Sequence, residues 1–206
     1  LVLRQVTTVP GIARFLELYS LDQAREHFAD VVLEARHFQE VTRYFHARRV
    51  QVIADWLGAE LPSLTFLDVG DTDGLILKHL GKKALGFNNS PKACEQIRRN
   101  GVEAHEGDGQ RLPFPDRSFD VVMCFETLEH VPNPCALLEE LTRVARRKLY
   151  LSIPGVLTTL VHPRIKGCRV GEKHIVEFSE RDFRALLTHL PLRVSHYERI
   201  QVFGEL

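Results

Sequence analysis

The sequence has no excess of either charge: 27 lysines and arginines balance 27 aspartates and glutamates. Without a net field nothing holds nucleic acid or an anionic membrane globally, and no nucleic-acid partner is expected. Cysteine is also scarce. Cys94, Cys124, Cys135 and Cys168 form no CxxC pair, which argues against a zinc site or a secreted disulfide framework, and no metal is expected. No recognisable signal peptide precedes them, so the expected compartment is a reducing cytoplasm, with the cysteines packed as small hydrophobes. No apolar run approaches the roughly 20 residues that span a bilayer, and no membrane span is expected.

What is present is ordinary globular composition, 44% hydrophobic and 26% charged, over 206 residues, enough for one domain with a substantial core. Residues 10–57 repeat apolar positions at three- and four-residue spacing, as in Phe28, Val31, Val32 and Ala35, and predict a helical N-terminal part over 1–60. Leu61-Pro62-Ser63 breaks it. From 64 to 155 the pattern alternates: strand LTFLDVG, helix 74–80, strand 83–87, a helix opened by Ser90 as N-cap and Pro91, strand VEAH, strand FDVVMCF, helix PCALLEELTRVARR and strand KLYLSIP. Strands alternating with helices of this length predict a doubly wound α/β fold, a mostly parallel sheet covered on both faces. Residues 156–206 depart from the rhythm. They offer a basic loop, a capped helix SERDFRALLTHL and two strand-like runs that predict a C-terminal antiparallel hairpin. The whole is expected to be a single domain.

In such a sheet, ligands bind beyond the carboxyl ends of the strands where strand order reverses, which brings together residues 68–74, 87–90, 108–109 and 124–130. The first loop, DVGDTDG, is GxxxG rather than the GxGxxG of a dinucleotide reader. Gly70 lets the chain turn off the strand and Gly74 lets the helix pack closely. Asp71 and Asp73 add negative charge where a pyrophosphate needs a positive helix terminus, which argues against NAD. A cofactor with an ammonium and a sulfonium but no phosphate, S-adenosylmethionine, tolerates these charges.

Here the sequence resembles the class I S-adenosylmethionine-dependent methyltransferases, in their small-molecule, type 11-like branch. FLDVGDTDG resembles the family's first motif, with Asp68, Gly70 and Gly74 matching, and GFNNSPKACEQIRRNG the second. EGDGQRLPFPDRSFDVVMCFETLEHVPNP is the most specific block, and HIVEFSERDFRALL resembles a segment before the last strands. The resemblance implies a Rossmann-like, seven-stranded methyltransferase sheet, S-adenosylmethionine as cofactor with S-adenosylhomocysteine as product, and a small-molecule methyl acceptor. It implies that Asp68, Gly70 and Asp71, with Gly74, lie at the methionine end, and that Asn88 with Asn89 faces the ribose. It implies too that Asp108 accepts from the adenine amino group, that Gly109 offers its N–H to the ring, and that Cys124 and Phe125 line the methyl-transfer end. Two positions depart from the pattern. Thr72 stands where the family has a glycine. Asn88 replaces the acidic ribose reader, and losing a charge-assisted bond costs about 1 kcal/mol of cofactor affinity.

Plainer readings stand beside these. Asp71 and Asp73 suit helix entry, Asp73 as a cap; Asp68 suits a strand-end residue binding loop amides; Asp108 suits a turn. His130 is either a loop-tying residue or a general base, and Glu126 is an alternative base. Methyl transfer from a sulfonium is an in-line displacement, so positioning alone can supply much of the rate. The basic loop, with His162, Arg164, Lys166, Arg169, Lys173 and His174, is either a solvated surface or a cover for an anionic acceptor. The basic residues at 145–148 read as helix-face charge. A non-catalytic cofactor-binding or partner protein of the same fold is the alternative function.

Overall fold

The computed structural model describes residues 36–81, 83–154, 175–176 and 178–197. The expected helices before residue 36, the basic loop, Cys168 and the final run 198–206 lie outside the described residues. The described residues fall into two compact units, one built on Glu60–Leu192 and the other joining the N-terminal helix to the stretch from Arg193. In the latter, α1 (Arg36–Leu57) carries Trp56, which stacks at a tilt on His196, with ring centroids 4.9 Å apart.

The larger unit carries five parallel strands among the described residues: β1 (Phe66–Val69), β2 (Ala84–Asn88), β3 (Glu103–Glu106), β4 (Phe119–Phe125) and β5 (Ala145–Ser152). Their spatial order is β3-β2-β1-β4-β5, so the order reverses at β1. The Rossmann-like expectation is met in that parallel core. Of the expected hairpin, residues 192–197 are irregular.

Local chemistry explains the helices. In α3 (Pro91–Arg99), the Ser90 hydroxyl accepts from the Ala93 N–H, Pro91 pre-sets the first turn, and Gly101 closes the end at φ 84°. In α4 (Pro134–Val144), the Asn133 side chain caps the Ala136 N–H. In α5 (Glu180–Leu187), Ser179 caps the Asp182 N–H. The short α2 (Leu75–Leu80) buries Leu75, Ile76, Leu77 and Leu80.

Helices cover both faces. Leu67, Val69, Val122 and Cys124 meet Leu137, Leu138, Leu141 and Val144 of α4, with Phe178 and Phe183 beside them. On the opposite face Ile97 of α3 lies against Gly86, and Gly81 at the end of α2 lies against Phe66. One expectation is corrected. The helix predicted to Arg147 ends at Val144, because Ala145 turns extended after its N–H closes on the Leu141 carbonyl and then pairs with Phe119. Arg146 and Arg147 therefore lie on a strand, bonded to Asp120 and Glu60, and are not helix-face charge.

Candidate functional site

The carboxyl ends of β1, β2, β3 and β4 place residues 70–74, 88–90, 107–110 and 125–130 around the point of strand reversal. Gly70 leaves β1 at φ 93° and donates its N–H to the Phe87 carbonyl at 2.8 Å. A Cβ there would come 2.1 Å from Thr127 Oγ1, so the β1 and β4 loops touch through a space only glycine leaves open. Thr127 is fixed in turn, its hydroxyl donating to the Phe125 carbonyl at 2.9 Å.

The loop carboxylates turn inward. Asp71 Oδ1 accepts from the N–H groups of Asp73 at 3.1 Å and Gly74 at 2.8 Å, and its Oδ2 sits over Gly86, 3.0 Å from where a Cβ would be. Asp73, one residue before the α2 N-cap, Gly74, accepts from Leu75 N–H at 3.0 Å through its Oδ1. Asp71 and Asp73 therefore brace the turn that leads into α2, whose N-cap is Gly74 rather than Asp73. Asp68 is buried, flanked in register by Gly86 and Met123.

At the end of β2, Asn88 bridges two loops. Its Nδ2 donates to the Asp71 carbonyl at 2.8 Å and its Oδ1 accepts from the Ser90 N–H at 2.8 Å, while its own carbonyl takes the Gly107 N–H at 3.0 Å. A carboxamide has two donors and two acceptor sites, so one N–H and one lone pair remain for a ligand hydroxyl. Asn89 is the residue between these contacts and carries none of them.

Asp108 is exposed after β3. Its Oδ1 accepts from the Gln110 N–H at 2.9 Å and from Gln110 Nε2 at 3.1 Å, which holds its carboxyl below the ordinary range and fixes its direction. The other carboxylate oxygen remains open to a donor. Gln110 Oε1 meanwhile accepts from Asn133 N–H, tying this loop to α4. Gly109 packs between Leu137 and Val69, each 3.1 Å from where a Cβ would be. Leu112 and the residues after it are held by Arg143, which donates to the carbonyls of Leu112 and Phe114, to Asp116 and to both oxygens of Glu140.

On the β4 side, Cys124 is fully buried beneath α4, and burial pushes its thiol far up, so its side chain belongs to the core. Phe125 is half-buried at the strand end. Glu126 follows with φ 47°, a left-handed conformation uncommon for glutamate and found where a site constrains the chain. Its carboxylate accepts from the Ser152 hydroxyl at 2.7 Å and its N–H donates to the Ser152 carbonyl at 3.0 Å, so β5 holds it in place. His130 lies on the exposed side of a 3-10 turn, its Nε2 3.9 Å from Glu129 Oε1. Glu129 is buried, and its carbonyl receives the N–H groups of Ile175 and Val176.

Sequence reasoning missed Gly86, Thr127, Gln110, Asn100 and Ser152. Only Gly86 carried a signal, as an isolated glycine inside a strand. The donor set fits a phosphate-free cofactor: the four loops hold no lysine or arginine, and they offer glycine backbone, one open carboxylate oxygen on Asp108 and the remaining polar atoms of Asn88.

Comparison with known proteins shows what the chain is similar to. Residues 67–153 match the family described as methyltransferase domain. The chain is 30% identical over 131 residues to the 2-methyl-6-phytyl-1,4-hydroquinone methyltransferase of Synechocystis, covering 58% of this chain and 40% of that one. It is 26% identical over 141 residues to the ubiquinone biosynthesis O-methyltransferase of Nitrosomonas europaea, covering 64% and 58%. It thus spans about half the length of these curated relatives. A S-adenosylmethionine-dependent methyltransferase of Thermotoga maritima superposes with TM-score 0.57 at 20% identity, covering 81% of this chain and 78% of that one. One from Aquifex aeolicus gives 0.55 at 23%, covering 71% and 81%. At such identities the structural likeness speaks for the fold. Residues 67–153, which carry the strand-reversal loops, are thus similar to a methyltransferase domain.

Proposed function

We propose that the chain transfers a methyl group from S-adenosylmethionine to a small-molecule acceptor bound at the carboxyl ends of the strands. The single observation that carries this reading is the loop at the strand reversal: a left-handed Gly70 seated on Thr127, closed by its own aspartates, with no cation to attract phosphate. When bound, the cofactor supplies a methyl carbon activated by its sulfonium. In this reading Asp108 accepts from the adenine amino group through its open oxygen, and Gly109 contributes backbone. Asp108→Ala is expected to weaken S-adenosylhomocysteine binding by about 1 to 3 kcal/mol. Unchanged affinity in calorimetry would move the adenine elsewhere.

The relatives' names point to hydroquinone and O-methyl chemistry, and a phenolic hydroxyl is the acceptor we favour here. A phenol ionises near pH 10, so a positioned base speeds its attack at neutral pH. Glu126 suits that role, because its strained backbone and its Ser152 bond fix the carboxylate at the β4 end. Glu126→Gln is expected to lower kcat by about 10²-fold or more without changing cofactor affinity. Equal kcat would leave positioning alone to account for the rate. His130, exposed and 3.9 Å from Glu129, is the weaker candidate. The three-segment division at 1–60, 64–155 and 156–206 and an anionic acceptor under the basic loop stay proposals resting on the sequence.

The direct test is to supply S-adenosylmethionine with a panel of hydroquinones and catechols and quantify S-adenosylhomocysteine released. Turnover on any of them supports the reading, and none, with cofactor bound, favours a second one. That second reading is a cofactor-binding partner protein without catalysis, and the engagement of Asn88 with protein backbone is the observation in its favour.

A further inference from the structure

The loop between β1 and α2 is held from outside by two asparagines. Asn88 Nδ2, at the end of β2, donates to the Asp71 carbonyl at 2.8 Å, and Asn100 Nδ2, at the C-cap of α3, donates to the Asp73 carbonyl at 2.7 Å. They flank Thr72, whose two neighbours are thereby fixed through their carbonyls. From within the loop, the Asp71 carboxylate binds the N–H groups of Asp73 and Gly74. Gly86 leaves room for that carboxylate on β2, and Ser90 N–H orients the Asn88 amide so that its nitrogen faces Asp71.

Both outer bonds require an amide donor. A carboxylate in either place has the same shape but accepts only, and would set a negative oxygen against a carbonyl oxygen at hydrogen-bond distance. We infer that Asn88 and Asn100 form a paired amide clamp that sets the conformation of the cofactor loop, so that Asn88 is a positioning residue first. Thr72 is tolerated at the middle of the loop because the clamp, rather than glycine flexibility, determines the path of the chain there. Asn100 contacts the loop from α3 and acts through Asp73 alone.

The isosteric substitutions Asn88→Asp and Asn100→Asp test this. In the ligand-free protein, the Asp73 and Gly74 amides are expected to exchange with deuterium at least tenfold faster in each variant, while the α4 amides keep wild-type protection. S-adenosylhomocysteine affinity is expected to fall at least tenfold in Asn88→Asp and at least threefold in Asn100→Asp. Wild-type exchange in either variant overturns the clamp, as does an Asn88→Asp protein that binds as tightly as wild type or more tightly. Should Asn88→Asp lose α4 protection as well, Asn100→Asp decides by the same criteria. The affinity arm rests on the methyltransferase reading, whereas the exchange arm does not. A wild-type protein that fails to bind S-adenosylhomocysteine therefore overturns that reading and leaves the clamp to be judged by exchange.

Discussion

Replacing Gly70 with alanine is expected to abolish S-adenosylhomocysteine binding and to destabilise the protein by about 3 kcal/mol. Two costs combine. The new methyl would lie 2.1 Å from the Thr127 hydroxyl oxygen, 2.7 Å from its methyl and 2.9 Å from its Cβ, and overpacking of this kind costs about 1 to 3 kcal/mol. The backbone at φ 93° lies where an L-residue pays roughly 1 to 2 kcal/mol more than glycine. Relief at Thr127 separates the two. A Gly70→Ala, Thr127→Gly double variant removes the contact and leaves the backbone cost, so urea denaturation should recover part of the loss. A Gly70→Ala protein with the wild-type midpoint and wild-type affinity would show that the loop does not need this approach.

The second large effect is at Arg143. Its guanidinium binds the Leu112 and Phe114 carbonyls, Asp116 and both oxygens of Glu140, so one side chain holds the loop from 112 to 116 against α4. Glu140 also accepts the Leu112 N–H at 2.7 Å. Arg143→Ala leaves these carbonyls and the Glu140 carboxylate without their cation, for an expected loss of about 2 to 3 kcal/mol. Lysine should restore little, since a point charge cannot reproduce the planar fork. The Arg143 hydrogen bond is the main cause holding the Glu140 carboxyl below its ordinary range. A depressed carboxyl contributes stability that is present above its unfolded value, about 4.3, and is lost as pH falls through the folded value. Below that window the difference between wild type and Arg143→Ala should narrow. A constant difference from pH 7 to pH 3 would remove Glu140 from the account.

The parallel core was legible in the sequence because its signals are local. FDVVMCF is β4 over residues 119–125, Ser90 and Pro91 open α3, and Ser179 opens α5. Helix α4 was read three residues too long because Ala145, Arg146 and Arg147 all have ordinary helix propensity, and strand pairing with Phe119, a non-local contact, decides otherwise. The same distinction runs through the site. Asp68, Gly70, Asn88 and Asp108 are named by motif and position, and each lies in or just beyond the carboxyl end of a strand. The inward turn of Asp71 onto Gly86, the Thr127 contact and the reach of Asn100 to Asp73 depend on residues 15 to 57 positions apart, for which one sequence carries no pattern. The Glu126 backbone could not be read either, since nothing in CFETLEH announces a left-handed glutamate.

Asp71 and Asp73 bind the amides of their own turn, so these two carboxylates shape the loop between β1 and α2. The account then stands on whether that loop receives the cofactor. Calorimetric titration of the wild-type protein with S-adenosylhomocysteine tests it most directly. Saturable binding at one site per chain below millimolar concentration is the predicted result, and no binding at millimolar ligand would contradict it.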